Sequence, residues 1–180
     1  MAFNFKKTAL EGVLLIIPES YYDDRGFFME SYTKKHFETA GIKEEFVQDN
    51  HSFSVRNTLR GLHYQLEPFS QSKLVRCVSG EIMDVAVDIR KDSKSFGKYF
   101  SATLSSENKN MFYIPKGFAH GFFVMSDYAE VLYKVDNYYS KNHERGIIWN
   151  DKDLKIQWPS IDPNLSIKDR SWPKFNEIEW

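Results

Sequence analysis

The chain has 180 residues, of which 42% are hydrophobic and 27% charged, and carries a net charge of −1. That length predicts one folded domain with a sizeable core, and the charge balance excludes bulk attraction to nucleic acid or an anionic membrane. A single cysteine, Cys77, excludes an intrachain disulfide and a cysteine zinc site; lying in an apolar strand pattern, it reads as a buried inert thiol.

No apolar run reaches bilayer-spanning length and no charged-then-apolar signal opens the chain, so a cytoplasmic location is expected. The aromatic share of 16%, with 15 Phe and 10 Tyr, favours strands and a pocket for a flat ligand.

In chain order, residues 3–5 and 12–17 read as strands, with Pro18 closing the second. SYYDDRG (20–26) reads as a polar turn before a strand FFMESY. Thr33 is the predicted N-cap of a helix, KKHFETA, which Gly41 ends. Strands then follow at short intervals: FVQDNHSFSV, LRGLHYQ, KLVRCVSG, EIMDVAVDI, KYFSATL, MFYIP, HGFFVM and AEVLYKVDNYY. Turn chemistry separates them, as at Glu67-Pro68, Ser79-Gly80 and Ser126-Asp127. Many short strands at regular spacing predict an all-β sandwich or barrel. In EIMDVAVDI, Met83, Val85, Val87 and Ile89 form an apolar face; Asp84, Ala86 and Asp88 form a small acidic one to which the sequence assigns no role. After Ile147 the texture turns to loop, read as a C-terminal tail packed across the domain.

Residues 58–88 concentrate the chemistry, with Arg60, His63, Gln65, Gln71, Lys73 and Arg76. Residues two apart on a strand share a face, so His63 and Gln65 look one way and Lys73 and Val75 another, and both pairs can point into one cavity. His63 is a candidate general base, with Asp169 of LSIKD as the carboxylate that fixes its tautomer. Lys73 is either a solvated lysine at a strand start or the electrophile at a developing oxyanion. Tyr133 is a candidate acid and Tyr139 a stacking platform, and both read equally well as filling. Arg25 and Arg60 can each grip a phosphate through two donors. No glycine-rich phosphate loop opens a helix.

Gly80-Glu81 and Pro115-Lys116-Gly117-Phe118-Ala119-His120 resemble the two short signatures of the cupins. Where metal-binding cupins carry His-x-His, this chain has His63-Tyr64-Gln65, and the expected carboxylate falls near Phe69 or Ser70. With two of four ligands missing, no metal is expected.

DDRGFFME, FVQDNHSFS, LRGLHYQ, QSKLVRCVSGEIMDVAVDIRKDS, IPKGFAHGF, YKVDNYY, WNDKDLKIQWP and LSIKD occur in order over nearly the whole chain. The set resembles the dTDP-4-dehydrorhamnose 3,5-epimerase family, metal-independent cupins of dTDP-L-rhamnose biosynthesis. The resemblance implies one jelly-roll domain over residues 1–180 with a few short helices, a homodimer with N-terminal strands open to exchange, and no cofactor. It implies inversion at C3 and C5 of a dTDP-4-keto-6-deoxy-hexose destined for a cell-surface polysaccharide. Relatives with these motifs also invert one centre only or take GDP- or CDP-linked sugars. By residue, it implies His63 as base with Asp169, Tyr133 as acid and Lys73 beside the enolate oxygen. It further implies Arg25, Glu30, Gln48, Asp49, Asn50, Arg60, His120, Glu144 and Lys168 as nucleotide-sugar contacts, and Tyr139 stacked on the base. The Arg25–Glu30 segment serves the neighbouring subunit in that family. A metal-dependent cupin and a non-catalytic sugar-binding cupin are the competing classes.

Overall fold

A computed structural model describes residues 2–179. Alternating sequences that bury one row of side chains give two open antiparallel sheets, so the sandwich alternative holds and neither sheet closes into a barrel. The first sheet has six strands: β1 (Phe3–Lys7), β2 (Leu14–Pro18), β10 (Met111–Ile114), β7 (Lys73–Ser79), β12 (Tyr128–Val135) and β5 (Gln48–Val55), in that spatial order. The second runs β13 (Glu144–Gly146), β6 (Leu59–Gln65), β11 (Phe118–Val124), β8 (Glu81–Asp88) and β9 (Tyr99–Ser105). Val75, Phe112 and Val131 from the first sheet meet Ile82, Ala86, Leu104, Phe118 and Phe122 from the second in a shared core.

The unassigned acidic row of β8 belongs to this interior. Asp84 and Ala86 are fully buried between the sheets, while Met83, Val85 and Val87 face the other way, onto Leu62, Tyr64, Ile147 and Leu154. Ile156, Trp158, Phe175 and Ile178 cover that outer face, so the C-terminal tail lies across the second sheet.

SYYDDRG is not simply a turn. Ser20–Asp23 (β3) and Gly26–Met29 (β4) form a separate hairpin, pairing Tyr21 with Phe28 and Tyr22 with Phe27. Only Asp24 and Arg25 make the turn, which Asp23 closes by accepting the Arg25 backbone N–H at 2.8 Å. Cross-strand aromatic pairs outweigh the polar flavour of the segment. The helix α1 (Lys34–Thr39) starts after Thr33 and ends at Gly41, whose φ of +94° suits a left-handed C-terminal cap. Thr33 caps it without a side-chain bond to the helix, since its hydroxyl donates to the Glu30 carboxylate instead.

The strand expected to run through Tyr139 stops at Val135. Asp136 accepts the Ser72 backbone N–H at 2.7 Å, and Asn137 accepts that of Tyr138 at 2.9 Å. These side chains replace the ladder partners and turn the chain out. LSIKD, read as loop, carries the helix α2 (Ile167–Arg170), with Ser166 accepting the Asp169 N–H at its N-cap.

Two close approaches fix the second sheet. A Cβ on Gly61 (φ +132°) would stand 2.5 Å from Gly121 Cα, so β6 and β11 touch backbone to backbone beside a bulge that leaves His63 opposite His120. Gly146, paired with His63, lies under the Trp172 indole, which any Cβ there would penetrate. Gly146→Ala should therefore displace the tail and destabilise the fold by about 2 kcal/mol, the usual scale of overpacking. Thermal melts and proteolysis after residue 160 check this; an unchanged melting temperature would show that the indole yields without consequence.

Candidate active site

The two sheets enclose a cavity of about 450 Å³ lined by Arg60, His63, Lys73, His120, Tyr133, Lys168 and Asp169, together with Ser52, Phe122 and Ser166. The lining comes from both walls. Lys73 on β7 and Tyr133 on β12 belong to the first sheet; His63 on β6 and His120 on β11 belong to the second. Strand alternation drives this, because Leu62 and Tyr64 face the outer core and leave His63 facing inward.

His63 Nε2 donates to Asp169 Oδ1, joining the middle of the chain to its tail. Asp169 also receives Ser166 Oγ at 2.8 Å and Trp172 Nε1 at 3.3 Å. Burial pushes its carboxyl up, but the His63 bond and charge and the Ser166 and Trp172 bonds outweigh that and hold it below the usual carboxylate range. An ionised Asp169 accepts, so the proton of a neutral His63 sits on Nε2 and Nδ1 carries the bare lone pair.

Burial brings Lys73 down to about 8, against the upward pull of Asp84 and Glu144. Burial likewise raises the Tyr133 phenol, with Arg60 opposing and Glu144 reinforcing the shift, so it stays protonated near neutrality. His120 Nε2 lies 2.5 Å from Asp84 Oδ1, and burial holds this imidazole below its ordinary value despite the carboxylate.

Beyond Lys168 the rim is polar. Lys168 Nζ meets Glu144 Oε1 at 2.6 Å, and Tyr139 donates to Glu144 Oε2 at 2.7 Å. The bond to Glu144 pushes Tyr139 up to about 12; burial raises the Glu144 carboxyl, but Lys168 and Tyr139 bring it below its ordinary value. Arg60 is steadied by its Nε on Ser54 Oγ at 2.9 Å.

A match to the dTDP-4-dehydrorhamnose 3,5-epimerase model covers residues 7–177. The chain belongs to that family. It is 57% identical over 178 residues to the Shigella flexneri dTDP-4-dehydrorhamnose 3,5-epimerase, covering 98% of each chain. Among solved structures, the Legionella pneumophila dTDP-6-deoxy-D-glucose-3,5-epimerase in complex with dTDP-4-keto-L-rhamnose superposes with a TM-score of 0.95 at 45% identity, covering 98% of this chain and 95% of that one. The Bacillus anthracis dTDP-4-dehydrorhamnose 3,5-epimerase with TDP and PPi bound gives 0.94 at 47% identity, covering 96% and 99%.

The epimerase fold gathers His63, Lys73, Tyr133, Asp169, Arg60, His120 and Lys168 around one cavity, with Glu144 and Tyr139 at its rim. Other expected contacts lie elsewhere in this chain. Gln48 Nε2 bonds Asn50 Oδ1 at 2.8 Å along β5, while Asp49, between them, points to the other face and pairs with Lys134 at 2.8 Å. Arg25 and Glu30 sit on and beside the β3–β4 hairpin, Arg25 with 90% of its side chain exposed. Gln65 is buried, accepts the Ser140 N–H at 3.3 Å, and leaves its Nε2 without a partner. Among the described residues no group of three or more His, Cys, Asp or Glu is arranged to hold a metal ion, and no helix is long and apolar enough to cross a membrane.

Sequence reasoning missed Ser166, Trp172, Ser52 and Phe122. For Ser166 a signal existed: Ser-x-x-Asp at 166–169 is a helix-opening pattern that also orients the Asp169 carboxylate. Asp169 generates a pH prediction. Its folded pKa lies below the reference value of 3.8, so its stabilising effect is complete above that value and is lost as pH falls through the folded pKa. Asp169→Asn should therefore flatten the fall in stability between about pH 5 and about pH 2. Denaturant titrations across that range measure it, and an acid limb as steep as in the parent would refute the assignment.

Proposed function

We propose that this protein inverts C3 and C5 of a dTDP-4-keto-6-deoxy-hexose in dTDP-L-rhamnose biosynthesis. The observation that carries the reading is the placement of His63 and Tyr133 on opposing walls of one cavity, with Lys73 lining the same cavity from β7, the strand next to that of Tyr133.

A C–H beside a ketone is removable once the enolate charge is stabilised where it develops. His63 Nδ1 takes the C3 proton while the C–H electrons form the C3–C4 double bond and the carbonyl electrons move onto O4. The Lys73 ammonium faces that oxygen. When the enolate collapses, the Tyr133 hydroxyl gives its proton to C3 from the opposite face, and the centre is inverted. His63 then gives up the proton it took and Tyr133 regains one, through solvent, so the same pair can act at C5. Asp169 is spared protonation; it stabilises the imidazolium that forms and keeps the ring oriented, as a triad carboxylate does. No redox change occurs, and no cofactor enters the balance.

Arg60, Lys168 and His120 supply the grip on the diphosphate and sugar, with Gln48 and Asn50 beside it on the Tyr133 face of β5, Asp49 bracing that strand through Lys134 on the opposite face, and Tyr139 stacked on the thymine, anchored by Glu144. Arg25 and Glu30 fit a site on a second copy of this chain. Support for a homodimer comes from the hairpin, which lies outside both sheets and exposes Tyr21, Tyr22, Phe27 and Phe28 by 55%, 68%, 56% and 70%. In this reading residues 1–180 form one cupin-type jelly-roll domain, β1 and β2 stay in their own sheet while the β3–β4 hairpin reaches the second copy, and the cytoplasmic product feeds a cell-surface polysaccharide.

Incubation with dTDP-4-keto-6-deoxyglucose in D2O, followed by NMR, should show deuterium at both C3 and C5. Deuterium at one carbon only would replace double by single inversion. His63→Ala should abolish exchange at both carbons in a folded protein, and wild-type exchange in that variant would remove the base assignment. Tyr133→Phe should exchange hydrogen without delivering the inverted product; full double inversion there would exclude Tyr133 as donor. Lys73 must be charged to hold an enolate, so kcat should fall as pH rises through about 8. In Lys73→Arg, whose guanidinium does not titrate, whatever rate survives should lack that limb.

A further inference from the structure

The cavity holds a second histidine–carboxylate pair that the proton transfers above do not use. His120 lies directly across the β6–β11 ladder from His63, and each ring bonds an aspartate through Nε2. Their surroundings differ. The His63 side chain is 28% exposed and faces the reaction, whereas His120 and Asp84 are 9% and 0% exposed and close the interior end. Asp84 Oδ1 takes the His120 bond, and Oδ2 is buried with no partner at all. A buried carboxylate oxygen left open is unfavourable, and a well-packed apolar side chain would avoid that cost. Its neighbours offer a reason to keep it. On the sheet these are Ala102 across the β9 ladder, Phe122 across the β11 ladder and Ala86 next along the face, none of which has a side chain that can hydrogen-bond the open oxygen.

We infer that Asp84 is a positioning residue of the epimerisation: it holds His120 in one tautomer, with Nδ1 toward the sugar as an acceptor, and supplies the fixed negative charge that keeps Lys73 an ammonium. The inference rests on the epimerase reading of the cavity. Lys73 feels groups from every wall. Asp84 on β8 and Glu144 on β13 favour its charge, and His120 on β11 couples to it. His63 and Arg60 on β6, Tyr133 on β12, and Lys168 and Asp169 on α2 complete the charged and titratable lining, with Asp169 bonded to His63 and Lys168 to Glu144. Asp136, just beyond β12, is engaged by Lys116 at 3.2 Å and by the Ser72 N–H. Glu144 is shared with Lys168 and Tyr139, which leaves Asp84 as the carboxylate whose second oxygen is uncommitted. A neutral His120 that donates Nε2–H to Asp84 must present a lone pair at Nδ1, suited to a sugar hydroxyl or to Lys73 itself.

Asp84→Asn tests this. The amide keeps the shape, removes the charge, and can donate to Nε2, which forces the proton onto Nδ1. Expected are a fall in kcat of about 10–100-fold with a smaller change in KM, the usual scale for a residue acting through another, and an alkaline limb displaced to lower pH. A merely structural aspartate would lower the melting temperature and leave that limb in place. Wild-type kcat, or an unshifted limb, in a folded Asp84→Asn protein overturns the inference. Should the variant fail to fold, two-bond 1H–15N correlation spectra of the parent protein decide. His120 must appear as the neutral Nε2–H tautomer from about pH 6 to about pH 9; an Nδ1–H or a charged ring overturns it. His63→Ala separates the two levels. Activity in that variant breaks the cavity reading, whereas an inactive His63→Ala beside an unaffected Asp84→Asn breaks only the role of Asp84.

Discussion

The Asp169 carboxylate, buried under the His63 ring, is the constraint on which the rest of the site depends. A carboxylate with 5% of its side chain exposed is tolerable only when its oxygens are filled, and here they are: His63 and Trp172 on one, Ser166 on the other. Each of those donors imposes a condition elsewhere. Ser166 must open a helix so that its hydroxyl and the Asp169 N–H meet. Trp172 must lie flat against β13, which requires Gly146. Gly146 must pair with His63 on β6 to bring the indole to the right place. The His63 imidazole, its orienting carboxylate, the edge strand and the tail are therefore one mechanical unit, built from segments more than a hundred residues apart.

Two histidines on adjacent strands, each bonded to an aspartate, show how burial alone divides roles between like groups. His63 is the more exposed of the two, which in the proposed mechanism lets it take a proton and lose it again. His120 lines the same cavity but is more deeply buried, and burial holds its pKa below the ordinary value in spite of Asp84. The same logic separates the two groups on the facing sheet. Burial pushes Tyr133 toward its protonated form and Lys73 toward its neutral one, but the carboxylates of Asp84 and Glu144 hold the lysine close to the working range. Desolvation sets the direction and local charge sets how far each group goes.

The strands of the two sheets were legible because alternation and turn residues agree: β6, β7, β8 and β12 begin where the pattern places them or within a residue, and His63, Lys73 and Tyr133 face inward as the period of two requires. What escaped did so for identifiable reasons. The β3–β4 hairpin hid because its ladder uses aromatics flanked by charged turn residues, a composition that reads as loop. β13 spans only Glu144–Gly146, too short to carry a period, and exists because β6 offers it an edge. The strand through Tyr139 was cut by Asp136 and Asn137, whose side chains bond backbone in competition with the ladder. The acidic row of β8 stayed without a role because its partners lie off the strand: Asp84 bonds His120 across the ladder, and Asp88 accepts from Arg90, Ser93 and Ser95 of the following loop. The carboxylate partner of His63 was legible from a family pattern; its Ser166 and Trp172 supports were geometric facts of the tail.

The sandwich also explains why inversion suits this architecture. An acid and a base that act on opposite faces of one carbon must approach from opposite directions and must not neutralise each other beforehand. In the proposed mechanism two sheets meet that demand because each wall contributes one group: β6 brings the imidazole and β12 the phenol, and the apolar layer of Val75, Ile82, Phe118 and Phe122 packs between the walls. A shift of either strand by one residue would turn its functional group out of the cavity and an apolar one in. Register is therefore as much a part of the chemistry as the side chains are. In β6 it is fixed where the glycine backbones of β6 and β11 touch at Gly61 and Gly121, two positions before His63 and one after His120. This close backbone approach thus lies beside the residues whose facing matters most.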